Sequence, residues 1–313
     1  MAALVITQKL GGDVLYGGGL AIGLVMLVLV VTGLIGTLAR AIPKVVVRSI
    51  QFGLGLQLAT IALREYLPSS GIVGYGLALL SCITIVLLLG NRRFPPAPFV
   101  ILIGVASTLI YGTNVDQIVH GFGIQFPQLH APDPQDIWMG FILLALPQIP
   151  LSLGNSILAT RQVTYDLFPQ RPITVEKISF TYALMNLINP FLSGLPTCHG
   201  AGGMVGHYTF GGRTGGSVVL YGALYLFIGI FLAGSFGAVV QLFPKPVLGI
   251  ILFFEAVAIM RLVRDVAHDT TDFSIVLIGG LVAASLPYGY LIALIVGTAL
   301  FYLSRHRLTR LGD

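Results

Sequence analysis

The sequence contains little charge: Asp, Glu, Lys and Arg together make up 9% of its 313 residues, against roughly 25% in an ordinary soluble domain. Hydrophobic residues account for 56% of the chain, and its mean hydropathy is +0.92. A membrane-spanning helix needs about 20 mostly apolar residues. The composition therefore excludes a water-soluble enzyme and predicts an all-α membrane protein with several spans.

Other scarcities exclude further classes. The two cysteines, Cys82 and Cys198, lie in apolar stretches, which excludes a disulfide framework and a four-ligand metal site. The net charge of +5 is not arranged as a basic stripe with interleaved aromatics, so nucleic acid is not an expected partner. No paired catalytic groups, nucleotide-binding loop or signal peptide is recognisable. We therefore predict that the chain is not an enzyme and uses no cofactor.

Ten apolar runs predict the spans, and basic residues predict their orientation. The runs are 16–38, 49–63, 72–90, 98–111, 137–160, 179–195, 216–239, 246–263, 272–286 and 288–304. Lys and Arg cluster in short loops between runs, as in Arg40, Lys44 and Arg48, whereas loop 112–136 has neither. If a short Gly-rich segment near 197–212 also crosses, all basic clusters fall on one side. The positive-inside rule then places the C-terminus in the cytoplasm and loop 112–136 outside.

A weak internal repeat has an offset of 201 positions. Residues 41–47, AIPKVVV, resemble residues 242–248, LFPKPVL. The same offset pairs Gly33 with Gly234 and run 16–38 with run 216–239. An odd difference in span number would make the two halves inverted repeats, which is the architecture of many secondary transporters. A chance match between apolar runs is the alternative.

The stretch from Asn189 to Gly215 is the densest unusual segment. Pro190 and Pro196 prevent a continuous helix before Thr197, and a helix beginning nearby would direct free N–H groups and its positive dipole end into a cavity. Such an end binds anions without a charged side chain. The alternative is a Gly-rich helix that packs closely against its neighbours. The candidate anion ligands here are Thr197, Cys198, His199, Gly200, Ala201, Gly202 and Gly203.

Polar residues in other runs are further candidates. Pro147 and Pro150 are expected to break run 137–160, and Gln148, Ser152 and Asn155 then share one helix face and offer hydrogen bonds to an anion. Interhelical hydrogen bonds are the alternative for these three. Glu255, a carboxylate well inside a span, is a candidate proton carrier or a residue of a polar domain interface. His199 could bind the anion, carry a proton, or bond to a helix carbonyl.

The run LPTCHGAGG at 195–203, continued by HYTFGGRTG at 207–215, closely resembles the second signature of the type-1 molybdate transporters, a branch of the sulfate permease superfamily. ALPQIPLSLGNSILA at 145–159 is similar to that family's helix opening the second repeat. The resemblance implies fourteen segments in two inverted repeats, with a core domain that holds an anion between two half-helices and a gate domain. About eleven segments would be present.

Mapped onto this chain, the resemblance implies six regions. They are partial first-repeat core segments (1–38), first-repeat gate segments (39–111), an extracytoplasmic loop (112–136), second-repeat core segments (137–239), second-repeat gate segments (240–304) and a cytoplasmic tail (305–313). The implied function is secondary active transport of molybdate or sulfate, coupled to an ion. A passive anion channel and a non-transporting truncated protein are the alternatives. Expected partners are the oxyanion, the lipid bilayer, protons and a second copy of the chain.

The family's first signature, roughly P-x-Q-P-M-K, is absent, and Ala2–Thr7 resembles the segment that follows it. The repeat offset pairs Met1 with Gly202, and the charge pattern puts Met1 outside or within the bilayer. These observations predict an N-terminally truncated protein that binds oxyanions weakly and does not transport them.

Overall fold

The computed structural model describes residues 10–91, 93–111, 115–241 and 243–310, and every regular element within these ranges is helical. In chain order the α-helices are α1 Gly12–Val31, α2 Leu34–Ala41, α3 Lys44–Ile61, α4 Gly71–Leu88, α5 Pro96–Tyr111, α6 Val115–His120, α7 Pro134–Gly140, α8 Leu146–Leu151, α9 Thr160–Leu167, α10 Val175–Ile188, α11 Ala201–Thr209, α12 Gly215–Phe231, α13 Phe236–Gln241, α14 Lys245–Met260, α15 Thr270–Ser285 and α16 Gly289–Arg310.

Five helical segments in these ranges are long and apolar enough to cross a membrane: Gly12–Val31, Lys44–Leu88, Pro134–Leu167, Lys245–Asp265 and Gly289–His306. A sixth crossing is available if Gly215–Phe231 and Ala233–Val240, which meet at a bend of 84°, count as one span. The segment Lys44–Leu88 is 45 residues long, about twice the length of one crossing. It contains the predicted run 49–63 and all but the last two residues of the predicted run 72–90.

The packing divides the chain into two compact units. Unit one comprises the residues up to Leu56, Pro127–Ala201 and the residues from Met260 onward, and unit two comprises Gln57–Phe126 and Gly202–Ile259. The boundaries of the repeats and of core and gate domains stay a prediction.

Glycines on α1 give unit one its closest helix packing. A Cβ atom built on Gly17 would lie 2.3 Å from the Asp136 carbonyl oxygen, and one on Gly23 would lie 3.0 Å from the Asn186 carbonyl carbon. Only residues without a side chain allow backbones to approach this closely. Helix α1 is therefore pressed against the start of α7 and against the last turn of α10.

An ion-pair network around one buried arginine also belongs to unit one. The Arg48 side chain, predicted as part of a loop cluster, lies one turn inside α3 and is 1% exposed. Its guanidinium donates to Asp166 Oδ2 at 2.7 Å, to Asp265 Oδ2 at 2.6 Å and to Gln51 Oε1 at 2.9 Å. Lys44 Nζ adds an ion pair to Asp265 at 2.6 Å. The network joins the start of α3 to the ends of two other helical segments.

Unit two has its own apolar core around α4, α5 and α14. Its buried residues are Ala78, Ile85, Val100, Phe210, Val247 and Ile250. Helix α12 is different, because none of its described residues is buried.

The helix boundaries follow the predicted offset of 201 residues. Helix α1 ends before Gly33 and is followed by the short α2, and α12 ends before Gly234 and is followed by the short α13. Lys44 and Lys245 each begin a long helix. The lengths and breaks of the helices therefore repeat together with the sequence pattern.

Two expectations from the sequence are wrong. Pro147 and Pro150 do not break run 137–160, because Pro134–Leu167 is one continuous helical segment of 34 residues. Wider π-helical turns at Phe141–Ala145 and Ser152–Ala159 flank both prolines and relieve the missing hydrogen bonds. Region 112–136 is not only loop, since it contains α6, although residues 112–114 lie outside the described part of the chain.

Candidate functional site

The predicted half-helix is present, but it begins later and is shorter than the predicted segment 197–212, whose start was expected at Thr197–His199. Residues 194–200 have no regular structure, and α11 begins at Ala201 and ends at Thr209. Nine residues rise only about 13.5 Å, so α11 alone cannot cross a hydrocarbon core of about 30 Å. The first N–H groups of any α-helix have no acceptor within the helix. The first turn of α11 therefore offers donors, and its Gly203 is exposed with no atom within 4 Å of a Cβ built there.

Two asparagines fix the extended segment that leads into α11, called here the approach segment (194–200). Asn186 Nδ2 donates to the Thr197 carbonyl oxygen at 2.8 Å, and the Thr197 N–H donates to Asn186 Oδ1 at 3.1 Å. Asn189 Nδ2 donates to Thr197 Oγ1 at 3.0 Å and to the Leu195 carbonyl oxygen at 3.1 Å. The position of Thr197 is therefore set by side chains at the end of α10.

His199 is also anchored to α10. Its Nε2 lies 2.8 Å from Thr181 Oγ1, and the Thr181 hydroxyl lies within 3.1 Å of the carbonyl oxygens of Lys177 and Ile178. A hydroxyl has one hydrogen, so when Thr181 donates to its own helix it accepts from His199 Nε2–H. Neutral His199 then presents an acceptor at Nδ1, so this nitrogen can donate to an oxyanion only when the ring is protonated.

Ser152, fully buried, belongs to the same neighbourhood. Its Oγ lies 2.7 Å from the hydroxyl of Tyr182, the residue that follows Thr181 on α10. Helix α10 thus brings Ser152 together with Thr197 and His199. Gln148 precedes it in α8 and makes an interaction of its own.

Asn155 lies in the π-helical segment, and its Oδ1 is buried without a hydrogen-bond partner in the described part of the protein. A π-helix winds more loosely than an α-helix, so a separation of three residues from Ser152 does not keep the two on one face. Ser152 is fully buried, and Asn155 is partly buried. The roles of Gln148, Ser152 and Asn155 as anion ligands stay predictions.

Glu255 lies on α14 against the half-helix. A Cβ built on Gly206 of α11 would be 3.2 Å from Glu255 Cδ and Oε2, so glycine leaves room for this carboxyl group. Gly206 is five residues after Ala201, about 7.5 Å along the helix axis. No neighbour of Glu255 could be identified from the sequence alone, and the structure places Gly206 beside it.

Sequence reasoning missed the four polar residues of α10 and its end: Thr181, Tyr182, Asn186 and Asn189. The available signal was their occurrence within the apolar run 179–195, since polar side chains inside a span commonly pair across helices. Cys198 is exposed. Within the described ranges, no three His, Cys, Asp or Glu residues are grouped in a way that could hold a metal ion.

Comparison with known sequences supports the predicted resemblance. Residues 140–259 match a family model described as a molybdate transporter of the MFS superfamily. Molybdate transporter 1 of Arabidopsis thaliana is 31% identical over 82% of this chain, and molybdate transporter 2 of the same plant is 28% identical over 87%. The chain spans 65% and 68% of the lengths of these relatives. The resemblance to the molybdate transporter family is confirmed.

Solved structures show the fold. SLC26A9 is similar over 92% of this chain and 50% of its own, with a TM-score of 0.58 and 16% identity. The transmembrane domain of the cyanobacterial bicarbonate transporter BicA is similar over 96% of this chain and 79% of its own, with a TM-score of 0.58 and 19% identity. The predicted fold class is confirmed, and the chain is an integral, multi-pass membrane protein.

Proposed function

We propose that this chain forms the transport unit of a secondary oxyanion transporter, with the anion bound at the start of α11. The observation that carries the proposal is the half-helix itself: nine helical residues entered from an extended segment, inside a fold shared with membrane transporters. Backbone N–H groups and the helix dipole replace part of the water lost by the anion. Among the described helices, α11 alone begins directly after the extended residues of the signature sequence.

The substrate is a tetrahedral dianion, molybdate or sulfate. The names of the relatives favour molybdate. The proposed ligands are the Thr197 hydroxyl, whose hydrogen is free to donate, the groups of Cys198–Gly203, and the polar side chains of Gln148, Ser152 and Asn155. Hydroxyl and amide donors suit an anion that must also leave, because they add no fixed positive charge.

Glu255 is proposed to link transport to protons. Its carboxyl group lies beside Gly206, within about 10 Å of the first turn of α11 by the rise of the helix. Like charges at this distance repel strongly in a medium of low dielectric constant. A proton on Glu255 removes this repulsion, so the dianion and the proton favour each other's binding.

The movement of the anion is proposed to follow the core and gate organisation that the family resemblance implies. Residues 137–239 would move as a core against gate segments 39–111 and 240–304, with the C-terminus in the cytoplasm. A homodimer is part of the same proposal.

The test is uptake of radiolabelled molybdate into proteoliposomes that contain the full chain. We expect saturable uptake that a proton gradient accelerates and that excess sulfate inhibits if the site accepts both ions. Gly203→Leu should abolish uptake, because its side chain enters the open space before the first turn of α11. Gly222→Leu is the matched control, since a Cβ on Gly222 also has no atom within 4 Å, and it should transport normally.

The alternatives give different results. A passive channel would show uptake that does not saturate and does not accumulate molybdate against a gradient. A non-transporting protein would show no uptake although the chain is folded.

Glu255→Gln should keep molybdate exchange while removing accumulation driven by the proton gradient, and unchanged accumulation would contradict the role of Glu255.

A further inference from the structure

We infer that Asn186 is the positioning residue of the anion site: its side chain fixes Thr197 so that the first turn of α11 is presented to the anion. The inference rests on the proposed function above. It assigns a role to a residue of α10 that lies outside the signature sequence and does not itself contact the anion.

The hydrogen bonds of Asn186 are complete. Its side chain is fully buried. Nδ2 donates to the carbonyl oxygens of Tyr182 at 2.9 Å and Thr197 at 2.8 Å, and Oδ1 accepts from the Thr197 N–H at 3.1 Å. Two carbonyl acceptors and one N–H donor determine which end of the carboxamide is nitrogen. Asn186 therefore pairs with both backbone groups of Thr197, as a neighbouring β-strand would.

This pairing needs asparagine. An aspartate has nearly the same size and keeps the acceptor for the Thr197 N–H, but it places a carboxylate oxygen against the Thr197 carbonyl oxygen. A leucine keeps the volume and leaves both Thr197 groups without partners in a buried place. Either change breaks at least one hydrogen bond for which water is not a ready substitute.

Asn189 is less suited to this role. It contacts the same segment through Leu195 and the Thr197 hydroxyl, but both bonds are exposed. Water can replace an exposed hydrogen bond at little cost. The buried pair at Asn186 therefore determines the geometry of the approach segment.

Helix α1 packs against the surroundings of this pair, namely Pro196 and the last turn of α10. A Cβ built on Gly23 would be 3.0 Å from the Asn186 carbonyl carbon, and one on Gly19 would be 2.9 Å from Pro196 Cγ. The last turn of α10 and Pro196 thus both pack on the glycine face of α1. A binding site must hold its groups to within about 0.5 Å of the productive geometry. Losing the Asn186 pair would let Thr197 move while its surroundings stay fixed.

The experiment uses the exposed Cys198, the neighbour of Thr197, as a reporter. The full chain carries Cys82→Ser so that a water-soluble thiol reagent labels Cys198, and sodium molybdate is added to protect it. We expect Asn186→Asp and Asn186→Leu to raise the half-protecting molybdate concentration by at least about tenfold. In proteoliposomes the same variants should raise the KM for molybdate more than they lower the maximal rate.

The matched control is Ser179→Ala. Ser179 lies on the same helix, is fully buried, and donates to the Val175 carbonyl oxygen at 2.8 Å, but it has no bond to the approach segment. In this variant the half-protecting molybdate concentration for Cys198 should stay within about twofold of the wild-type value, even if the variant is less stable.

The remaining outcomes show whether the inference about Asn186 or the proposed anion site is wrong. If wild type is protected by molybdate and both Asn186 variants are protected at the same concentration, the inference is wrong and the proposed function stands. The inference also fails if Ser179→Ala shifts protection equally, or if it folds while both Asn186 variants do not. If molybdate does not protect wild-type Cys198, the proposed anion site itself is wrong.

Discussion

Helices α1 and α12 occupy corresponding positions in the predicted repeat, yet their surroundings differ. Both are long, both end just before a glycine of the matched pair Gly33 and Gly234, and both are followed by a short helix. Eight residues of α1 are buried, and none of the described residues of α12 is. The glycines of α1 meet other backbones, whereas Gly222 and Gly229 of α12 have open space around them. A repeated sequence pattern therefore sets the length and break of a helix without setting what it packs against.

The second difference concerns α3 and α14, which begin at the paired lysines Lys44 and Lys245. One turn into α3 lies the buried Arg48, and the corresponding position of α14 is Gly249. Gly249 allows a close approach to Tyr66, whose Cβ would be 2.9 Å from an added Cβ. One half uses a buried cation at this place and the other uses close packing.

The largest expected effect comes from removing that cation. Arg48→Met should lower the free energy of unfolding by about 3 kcal/mol, because Asp166 and the partly exposed Asp265 lose their buried partner. Lys245→Met is the matched control on α14. Lys245 is exposed and makes no ion pair in the described part of the chain, so the change should be within about 0.5 kcal/mol. Thermal unfolding in detergent measures both, and equal shifts would contradict the difference between the two helices.

The glycine faces give the next effect. Gly17→Ala should cost about 2 kcal/mol, because its Cβ would lie 2.3 Å from a backbone oxygen of Asp136 and the two helices would have to separate. Gly222→Ala should be neutral or stabilising by up to about 0.5 kcal/mol, since alanine is the better helix former and the space is open. The two melting temperatures, compared with wild type, test this. A similar loss in both variants would mean that α12 is packed in solution.

The paired glycines at the helix breaks should respond in opposite ways to the same substitutions. Gly33 has φ of +73° and open space, so the backbone conformation requires glycine there, and Gly33→Ala should cost about 1 kcal/mol. Gly33→Asn should cost less, because asparagine tolerates this conformation.

Gly234 is limited by space instead. A Cβ there would lie 2.9 Å from both Gln125 Nε2 and the Gly121 carbonyl oxygen, so Gly234→Asn should be worse than Gly234→Ala. The melting temperatures of the four variants show, at each position, whether the alanine or the asparagine variant is less stable. If the same variant is less stable at both positions, backbone conformation and space do not limit the two positions separately as proposed.

Features that depend on neighbouring residues could be predicted from the sequence, and features that depend on distant partners could not. Proline and glycine act locally, so Pro190, Pro196 and the offset of 201 predicted the half-helix and the matched breaks. Pro147 and Pro150 do not break their helix because of the flanking π-helical turns, and no local sequence pattern predicts these turns. Asn186 and Arg48 depend on partners 11 and 217 residues away, and a single sequence contains no record of such pairs.

The smallest expected effect concerns the helix starts of α4 and α15, which lie within two positions of the offset in the predicted repeat. Asp269 caps α15, since its Oδ1 accepts the N–H groups of Asp272 and Thr271 at 3.0 and 2.8 Å, whereas Ser70 before α4 makes no such bond. Asp269→Ala should lower the melting temperature by on the order of 1 °C near pH 7. Ser70→Ala should change it less.

The Asp269 cap should also depend on pH. The N–H groups of Asp272 and Thr271, with Arg305 nearby, hold the pKa of Asp269 below its usual range. A carboxyl group whose pKa is lower in the folded state stabilises that state above its ordinary pKa of about 4 and loses this contribution as the pH falls through the lowered value. The difference in melting temperature between wild type and Asp269→Ala should therefore shrink in acid. Asp269→Asn keeps a neutral acceptor, so its difference from Asp269→Ala should stay constant with pH. A constant difference for wild type would mean that the charge of Asp269 does not contribute to the cap.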